Sequence, residues 1–323
     1  MTNPTYPITN LGYLDIQGGR LTYATSTTFT VASGQFRDST NINDIVLSSA
    51  VTVTVPSTSA VTTTGLNGLD TGTLGTAGTA TNTIYYVYVV ASSTNGSTTS
   101  AASAGGLATS YTMTDPASGE TSTISIGNSY LPAGAMISKS STGPLLPAGY
   151  DMYRRIGFVR INGSSATPSV ITIEPFIQTG YGKNRTMRYQ TPVAVGAGGP
   201  GATGSSQTYV TIGALLGIVP QLVSVDVLVN CALSAGTPGN CLLLTAANGT
   251  SSAPATTLSY SKMSSLVGAS ASLFQVAQLV CPCALNNAAT PVMEIDYCTQ
   301  AYGGSGTSND NVAFTIAGYI DIL

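Results

Sequence analysis

Apolar and polar side chains alternate with a period of two along parts of this chain, a pattern typical of β-strands. Val51, Val53 and Val55 alternate with threonine until Pro56, which predicts a strand with one buried and one solvated face. The run from Ile84 to Val90 is continuously apolar and aromatic, and this predicts a strand that is buried on both faces. The dominant pattern is therefore that of β-structure.

Further strands are predicted wherever β-branched and aromatic residues lie between clusters of Gly, Pro, Asn or Asp. In the first half of the chain they fall at 21–23, 29–31, 44–47, 111–113 and 123–126. In the second half they fall at 209–212, 222–233, 241–246, 273–280, 292–297 and 312–320. A trace of helical periodicity is confined to residues 263–271.

A hairpin is predicted around residues 146–163, LPAGYDMYRRIGFVRING. Pro147 favours extended backbone in the residue before it, so a strand is expected to begin near Tyr150. Asn162-Gly163 is a turn signal that leads into a second strand at 170–173. This pair of strands is the firmest local prediction.

Simple alternation divides the first strand of this hairpin into two faces. One face carries Met152, Arg154, Ile156 and Phe158, and the other carries Tyr153, Arg155, Gly157 and Val159. An arginine on each face indicates an edge or a subunit contact, where guanidinium groups pair with carboxylates or stack on tyrosine. Solvated arginines whose stems lie on apolar surface explain the pattern equally well.

The strand pattern and one Gly-rich stretch predict two antiparallel β-sandwich or jelly-roll-like domains. Residues 196–206, GAGGPGATGSS, have the composition of a flexible linker. The N-terminal β domain would then span 1–195, with a Ser/Thr/Gly-rich insertion at about 92–143, and the C-terminal β-sandwich domain would span 207–323.

Few residues of this chain carry a charge. Charged residues make up 7% of the 323 residues, against about 25% in typical globular domains. A surface built from Thr, Ser, Asn and Gln suits long-lived exposed assemblies. The net charge of -3 gives no reason to expect nucleic acid or an anionic membrane as a partner, and neither a secretion signal nor a transmembrane segment is expected.

Histidine is absent from the sequence, which excludes Ser-His-Asp and Cys-His catalysis and histidine metal sites. This absence removes most hydrolase classes and leaves chemistry based on carboxylates or arginine alone as an open alternative. The prediction is a protein that is not an enzyme and binds no cofactor or metal. The five cysteines, Cys231, Cys241, Cys281, Cys283 and Cys298, lack zinc-site spacing and are interpreted as small buried hydrophobic residues. A disulfide between Cys231 and Cys241 across a hairpin is an open alternative.

Three carboxylates are candidates for functional groups. Asp70 follows a Gly/Asn-rich loop, where a turn-capping role is favoured over calcium binding. Glu294 and Asp296 share one strand face and would be the acid pair of a glycan depolymerase, but a solvated strand face is the favoured interpretation.

Six of the ten basic residues lie between 154 and 188, namely Arg154, Arg155, Arg160, Lys183, Arg185 and Arg188. Tyr181 and Tyr189 interleave with them, as on a surface that binds nucleic acid or glycan. The favoured interpretation is an interface that meets acidic residues of a neighbouring subunit. The candidate interface residues are Arg154, Arg155, Arg160, Arg185, Arg188, Tyr86 and Tyr88.

Four segments carry a family resemblance: SGQFRDSTNINDI at 33–45, GLDTGTL at 68–74, YVYVV at 86–90 and LPAGYDMYRRIG at 146–157. They resemble a module of virion structural proteins of tailed bacteriophages, described as tail-fibre, head-fibre or minor structural components. The resemblance covers residues 20–190. The segment IAGYID at 316–321 is similar to the globular sandwich heads that follow this module.

The resemblance implies a non-enzymatic protein on the virion surface, made in the bacterial host cytoplasm, that decorates or cements the capsid. Its implied partners are the major capsid protein or tail proteins of the same virion, and further copies of itself in a homotrimer. Because no shaft-like repeat is present, a compact head-decorating or short tail-attached protein is expected. The alternative is a tail fibre or receptor-binding protein that recognises host glycan through exposed tyrosines such as Tyr302 and Tyr319.

Overall fold

A computed structural model describes the chain in segments. They are 16–55, 66–70, 83–92, 110–114, 121–125, 132–163, 171–198, 210–211, 215, 217–222, 224–234, 240–247, 267–268, 275–285, 293–302 and 311–322. Within these segments the regular elements are all β-strands, and every pair of neighbouring strands is antiparallel. The prediction of an all-β protein with antiparallel sheets is confirmed.

The strands before residue 150 are β1 (Ile16–Gly18), β2 (Leu21–Thr25), β3 (Thr28–Val31), β4 (Gly34–Arg37), β5 (Asp44–Leu47), β6 (Val51–Thr54), β7 (Thr83–Ala91), β8 (Ser110–Thr114), β9 (Thr121–Ser125) and β10 (Gly134–Ser138). Those that follow are β11 (Met152–Gly163), β12 (Ile171–Ile173), β13 (Phe176–Tyr181), β14 (Asn184–Gly198), β15 (Val210–Thr211), β16 (Ser224–Ser234), β17 (Asn240–Ala247), β18 (Val267–Gly268), β19 (Gln275–Leu285), β20 (Met293–Tyr302) and β21 (Asn311–Ile322).

The largest sheet has twelve strands, in the order β18-β17-β20-β19-β16-β21-β14-β13-β2-β3-β6, with β15 paired to β20. A four-stranded sheet has the order β10-β7-β11-β12, a three-stranded sheet has the order β1-β4-β5, and β8 pairs with β9. Residues 134–138, near the end of the predicted 92–143 insertion, form β10, a buried strand beside β7.

Strands from both halves of the chain share the twelve-stranded sheet. Strand β14 pairs with β21 from Asn184 to Gly198, although the register shifts twice along the way. Residues 196–198 of the predicted linker thus continue a strand, and residues 199–206 lie outside the described segments. The division into two domains stays a prediction.

Aromatic side chains connect the two largest sheets. The ring of Phe158 on β11 meets Tyr86 of β7 with ring centroids 5.0 Å apart. On its other side it meets Tyr319 of β21 at 5.7 Å, and Tyr319 meets Tyr189 of β14 at 6.2 Å. All three contacts are edge-to-face and all four rings are buried, so the core lies between the four-stranded sheet and the large sheet.

Several local predictions are confirmed. Strand β6 alternates buried valine with exposed threonine, and β7 is buried along both faces from Ile84 to Ala91. Strand β11 pairs with β12, where Ile161 lies opposite Ile173. The turn predicted at Asn162-Gly163 is wrong, because these two residues end β11 and pair with Thr172 and Ile171. The prediction of helical periodicity at 263–271 is wrong at residues 267–268, the part of this range that the structure describes. There Val267–Gly268 is a short strand that pairs with β17.

Candidate functional site

A β-bulge in β11 determines which side chains face the core. The register against β7 shifts between Arg155 and Gly157, with Ile156 as the extra residue. The shift places Arg155 and Phe158 on the same face, so the prediction of two simple alternating faces is wrong beyond Arg155. As a result the Arg155 guanidinium carbon lies 4.8 Å from the centre of the Phe158 ring, within cation–π range.

Arg185 holds the bulge against two turns. Its side chain is buried, and its Nη1 donates to the carbonyl of Gly19 at 2.7 Å and to that of the bulged Ile156 at 3.2 Å. Nη2 donates to Gly18 O at 2.6 Å, and Nε donates to Gly182 O at 3.0 Å. One guanidinium therefore joins the β1–β2 turn, the bulge and the β13–β14 hairpin. Burial lowers the pKa of Arg185 to about 10, against an opposing effect of Asp321, so the group stays charged at neutral pH.

Asp321 is a buried carboxylate near this centre. Its Oδ1 lies 3.8 Å from Arg155 Nη2, yet neither carboxylate oxygen has a hydrogen-bond partner among the described residues, and the same holds for the hydroxyl of Tyr319. Burial raises the pKa of Asp321 to about 7, although Arg155 and Arg185 oppose the rise. Burial also raises the pKa of Tyr319.

A second buried charge pair lies at the other end of β11. Arg160 Nη1 donates to Glu174 Oε2 at 3.0 Å, and its Nε donates to Gly217 O at 3.0 Å. The Tyr189 hydroxyl donates to the carbonyl of Ile218 in the same loop. These bonds tie residues 217–218, which precede β16, to the first half of the chain.

The predicted tyrosines Tyr86 and Tyr88 lie in the core of this chain. Tyr88 is 1% exposed, and its hydroxyl donates to Ser140 O at 2.7 Å. Tyr86 is 5% exposed, and its hydroxyl donates to Gln221 O at 3.4 Å. Burial raises the pKa of both tyrosines, which keeps them neutral.

The structure separates the seven candidate interface residues by burial. Arg160, Arg185, Tyr86 and Tyr88 are buried within the chain, Arg154 and Arg155 are half-buried, and Arg188 is exposed. A role for these residues in subunit contacts stays a prediction. The first four are positioned to stabilise the chain itself, whereas Arg188 is positioned at the surface.

An exposed side of β19, β16, β21 and β14, here called the outer face, surrounds Arg188. Its members, from the alternation along these strands, are Val276, Gln278, Val280, Asp226, Asn230, Ala313, Thr315 and Arg188. Arg188 Nη1 donates to Gln278 Oε1 at 3.0 Å, and Gln278 Nε2 donates to Asn230 Oδ1 at 2.9 Å. Val276 is 72% exposed and Val280 is 43% exposed. The outer face thus combines exposed valines with hydrogen-bonded amide side chains, one positive charge on Arg188 and one negative charge on Asp226.

A pocket of about 400 Å³ opens beside Arg185. It is lined by Gly18, Arg20, Gln178, Thr179, Gly180, Gly182 and Arg185. Arg20 and Thr179 are exposed at its rim, and Gln178 is buried. Gln178 Oε1 accepts a hydrogen bond from the Leu21 amide at 2.7 Å, which fixes this side chain in the wall.

Other predicted positions have clear outcomes. Asp70 Oδ2 accepts the backbone N–H of Leu145 at 3.0 Å, a bond between residues 75 positions apart, so a cap within its own turn stays a prediction. Cys231, Cys281 and Cys283 are buried and form no disulfide, so the alternative of a disulfide between Cys231 and Cys241 is wrong. Burial raises the pKa of Cys231 to about 12. Tyr319 is buried, so the prediction that it is exposed to stack on sugar is wrong.

Some predicted positions lie outside what can be described. They are the side chains of Tyr181, Cys241, Glu294, Asp296, Cys298 and Tyr302. Among the residues that are described, no group of three or more His, Cys, Asp or Glu side chains could hold a metal ion. No helix in those same segments is long and apolar enough to cross a membrane.

The sequence interpretation missed Asp321 and the pocket. A lone carboxylate two residues after Tyr319 in an apolar strand was the available signal for a buried charge. The pocket had no local signal, because its lining comes from the β1–β2 turn and from the β13–β14 hairpin.

Comparisons with known proteins give distant similarities. No protein-family model matches the sequence, and no curated protein is significantly similar to it. A chain in the crystal structure of the T13 viral particle of IBDV is 11% identical with a TM-score of 0.24, and the match covers 95% of this chain and 66% of that one. A chain of infectious bursal disease virus strain Gt is 12% identical with a TM-score of 0.22, over 94% and 66% of the two chains. A chain of strain Gx is 11% identical with a TM-score of 0.19, over 94% and 65%.

This chain therefore spans just under two thirds of the length of those viral chains. TM-scores of this size do not establish a common fold. These similarities carry no argument about function.

Proposed function

We propose that this chain is a non-enzymatic virion structural protein of a tailed bacteriophage, which decorates or cements the capsid surface through strand-rich, weakly charged protein–protein contacts. Its partners in this proposal are the major capsid protein and further copies of itself in a homotrimer. The resemblance of residues 20–190 to modules of phage virion proteins supports the proposal that this chain is a virion structural protein.

The proposed contact role rests on the composition and exposure of the outer face. It extends over four neighbouring strands of one sheet, exposes Val276 and Val280, and carries Arg188 and Asp226 as charges of opposite sign. Apolar and amide groups of this kind suit the centre of a protein–protein interface, where charged residues are depleted. Contacts between such faces depend little on ionic strength, because few exposed charges are available to be screened.

The proposal is tested by placing charges on the outer face. Val276→Lys combined with Val280→Lys puts two ammonium groups on exposed strand positions, which leaves the core unchanged but requires their desolvation in any contact. We expect the double variant to unfold at the same temperature as the wild type and to be incorporated into purified particles at a much lower level, measured by quantitative mass spectrometry.

Ile42→Lys is the matched control, since Ile42 is 73% exposed on the turn between β4 and β5. Its incorporation should equal that of the wild type. Wild-type incorporation of the double variant would rule out the outer face as the contact surface. Electron cryomicroscopy of particles with a C-terminal tag would then show whether the protein lies on the head at all.

A tail fibre or receptor-binding protein is the second candidate, and the pocket beside Arg185 is the observation that favours it. A concave site whose lining includes Arg20, Thr179 and Gln178 offers hydrogen-bonding groups to a small ligand such as a sugar of the host surface. The tag distinguishes the two candidates, because label over the whole head supports decoration and label confined to the tail supports adsorption.

A further inference from the structure

The pocket beside Arg185 contains arginine N–H groups that have no acceptor among the described residues. Its lining contains two arginines, Arg20 and Arg185, and no acidic residue. The guanidinium of Arg20 is exposed and makes no hydrogen bond or ion pair within the described part of the chain. Such a group at the rim of a pocket is available to a ligand.

Arg185 retains donor capacity despite its burial. A guanidinium carries five N–H groups, and four of them are used in the bonds to Gly182, Gly19, Ile156 and Gly18. The remaining N–H belongs to Nη2, and none of the described residues accepts it. Asp321 does not, since both of its oxygens are without a hydrogen-bond partner.

The charge balance favours an anionic ligand. Arg155 and Arg185 both interact with Asp321, a buried carboxylate that is not part of the pocket lining. Asp321 therefore offsets at most one of the two, and Arg20 adds a further charge at the rim. At least two positive charges therefore remain uncompensated, which attracts an anion, and the two oxygens of a carboxylate match guanidinium donors in geometry.

The rest of the lining suits a ligand with hydroxyl groups. Thr179 offers a hydroxyl at the rim, and Gln178 uses Oε1 for the Leu21 amide, so the Nε2 end of its side chain remains for other contacts. Gly182 has a positive φ of 57°, and the atom nearest to a Cβ there would be Ile16 O at 3.7 Å, so the absence of a side chain at this position lets a ligand approach the backbone.

We propose that this pocket binds a small hydroxylated ligand that carries one carboxylate group, with Arg20 and the free N–H of Arg185 as the carboxylate partners. The pocket volume of about 400 Å³ lies in the range of small-molecule sites. The assignment does not depend on the proposed virion role, and it applies equally to a protein on a capsid or on a tail.

The test compares glucuronate with glucose, which share a ring but differ by the carboxylate, in isothermal titration calorimetry on the full chain. Glucuronate should bind, and glucose should bind at least about tenfold more weakly, as expected for the loss of a charged hydrogen-bond pair. Equal affinity for the two sugars, or the absence of glucuronate binding, would overturn the proposal.

Two variants assign the binding to this pocket. Arg20→Gln should weaken glucuronate binding roughly tenfold, and Thr179→Asp should abolish it by placing a like charge at the rim. Both positions are exposed, so both variants should unfold at the wild-type temperature. Arg188→Gln removes an exposed arginine outside the lining and should leave the affinity for glucuronate unchanged. An unchanged affinity in Arg20→Gln would contradict the assignment of binding to this pocket.

Discussion

Arg185 joins three segments that lie far apart in the sequence. Gly19 and Ile156, whose carbonyls it binds, are separated from it by 166 and 29 residues. A buried arginine with four carbonyl partners is stabilising because each bond satisfies a carbonyl that would otherwise be desolvated without a donor. The planar guanidinium is required, since an ammonium group cannot reach the same four oxygens.

Arg185→Lys keeps the charge and removes this geometry. We expect the free energy of unfolding to fall by about 2–4 kcal/mol, from the loss of two or more charged hydrogen bonds. Urea denaturation followed by circular dichroism measures the change. Arg188→Gln, at an exposed position, should change stability by less than about 0.5 kcal/mol, and an equally small change in Arg185→Lys would contradict the proposed role.

Asp321 makes stability depend on pH in an unusual direction. Because its pKa rises from an ordinary value of about 3.9 in the unfolded chain to about 7 in the folded chain, the folded state binds the proton more tightly. The contribution of Asp321 to stability is therefore fully present below about pH 4 and is lost as pH rises toward 7.

Asp321→Asn removes this titration. The stability of the variant relative to the wild type should increase between pH 4 and pH 8 by on the order of a few kcal/mol, measured by urea denaturation at each pH. The comparison between the two proteins cancels the opposite effect of Asp38, whose pKa is lowered by hydrogen bonds from Asn43, Ile42 and Thr40 despite its burial. The same stability difference at both pH values would show that Asp321 does not titrate in this range.

At the scale of strands, β21 is central because it pairs on both sides, with β14 and with β16. The register shifts on both sides near Gly318. A Cβ atom at Gly318 would lie 1.9 Å from Met187 O, and its φ is 153°. The strand therefore passes its neighbour at a distance that glycine alone allows.

Gly318→Ala should destabilise the protein by at least about 2 kcal/mol, because the β14 backbone must move and the new side chain adopts an unfavourable φ. Thermal unfolding by calorimetry measures this as a lower midpoint. Ala313→Ser on the exposed side of the same strand is the control and should change the midpoint little. Wild-type stability of Gly318→Ala would contradict the close approach of β14 and β21.

At the scale of the whole molecule, the two halves are joined by the β14–β21 pair and by the buried contact of Phe158 with Tyr319. Removing residues 1–206 would expose one edge of β21 and the face of Tyr319. An unpaired edge beside an uncovered aromatic surface favours association with other chains.

We therefore expect residues 207–323 alone to lack a cooperative unfolding transition, and to co-purify with residues 1–206 when the two fragments are expressed together. Circular dichroism and size-exclusion chromatography measure both results. A fragment 207–323 that unfolds cooperatively by itself would instead support an independent C-terminal domain and a boundary in the predicted 196–206 linker.

The all-β architecture and the positions of most strands followed from the sequence alone. Alternation in β6, the apolar run in β7, and the strands β16, β17, β19, β20 and β21 depend on side-chain spacing over a few residues, which the chain carries locally. The same reasoning placed Arg154 and Arg155 in a strand.

The tertiary structure decided the rest. The bulge at Ile156 is stabilised by Arg185, and the burial of Tyr319 and Asp321 depends on β11 and β14 lying against β21. These contacts join residues that are far apart in sequence, and one inserted residue reverses the faces of a strand. Spacing within a strand holds no information about which distant carbonyl an arginine will bind, so the buried charges, the pocket and the outer face became visible only in the folded chain.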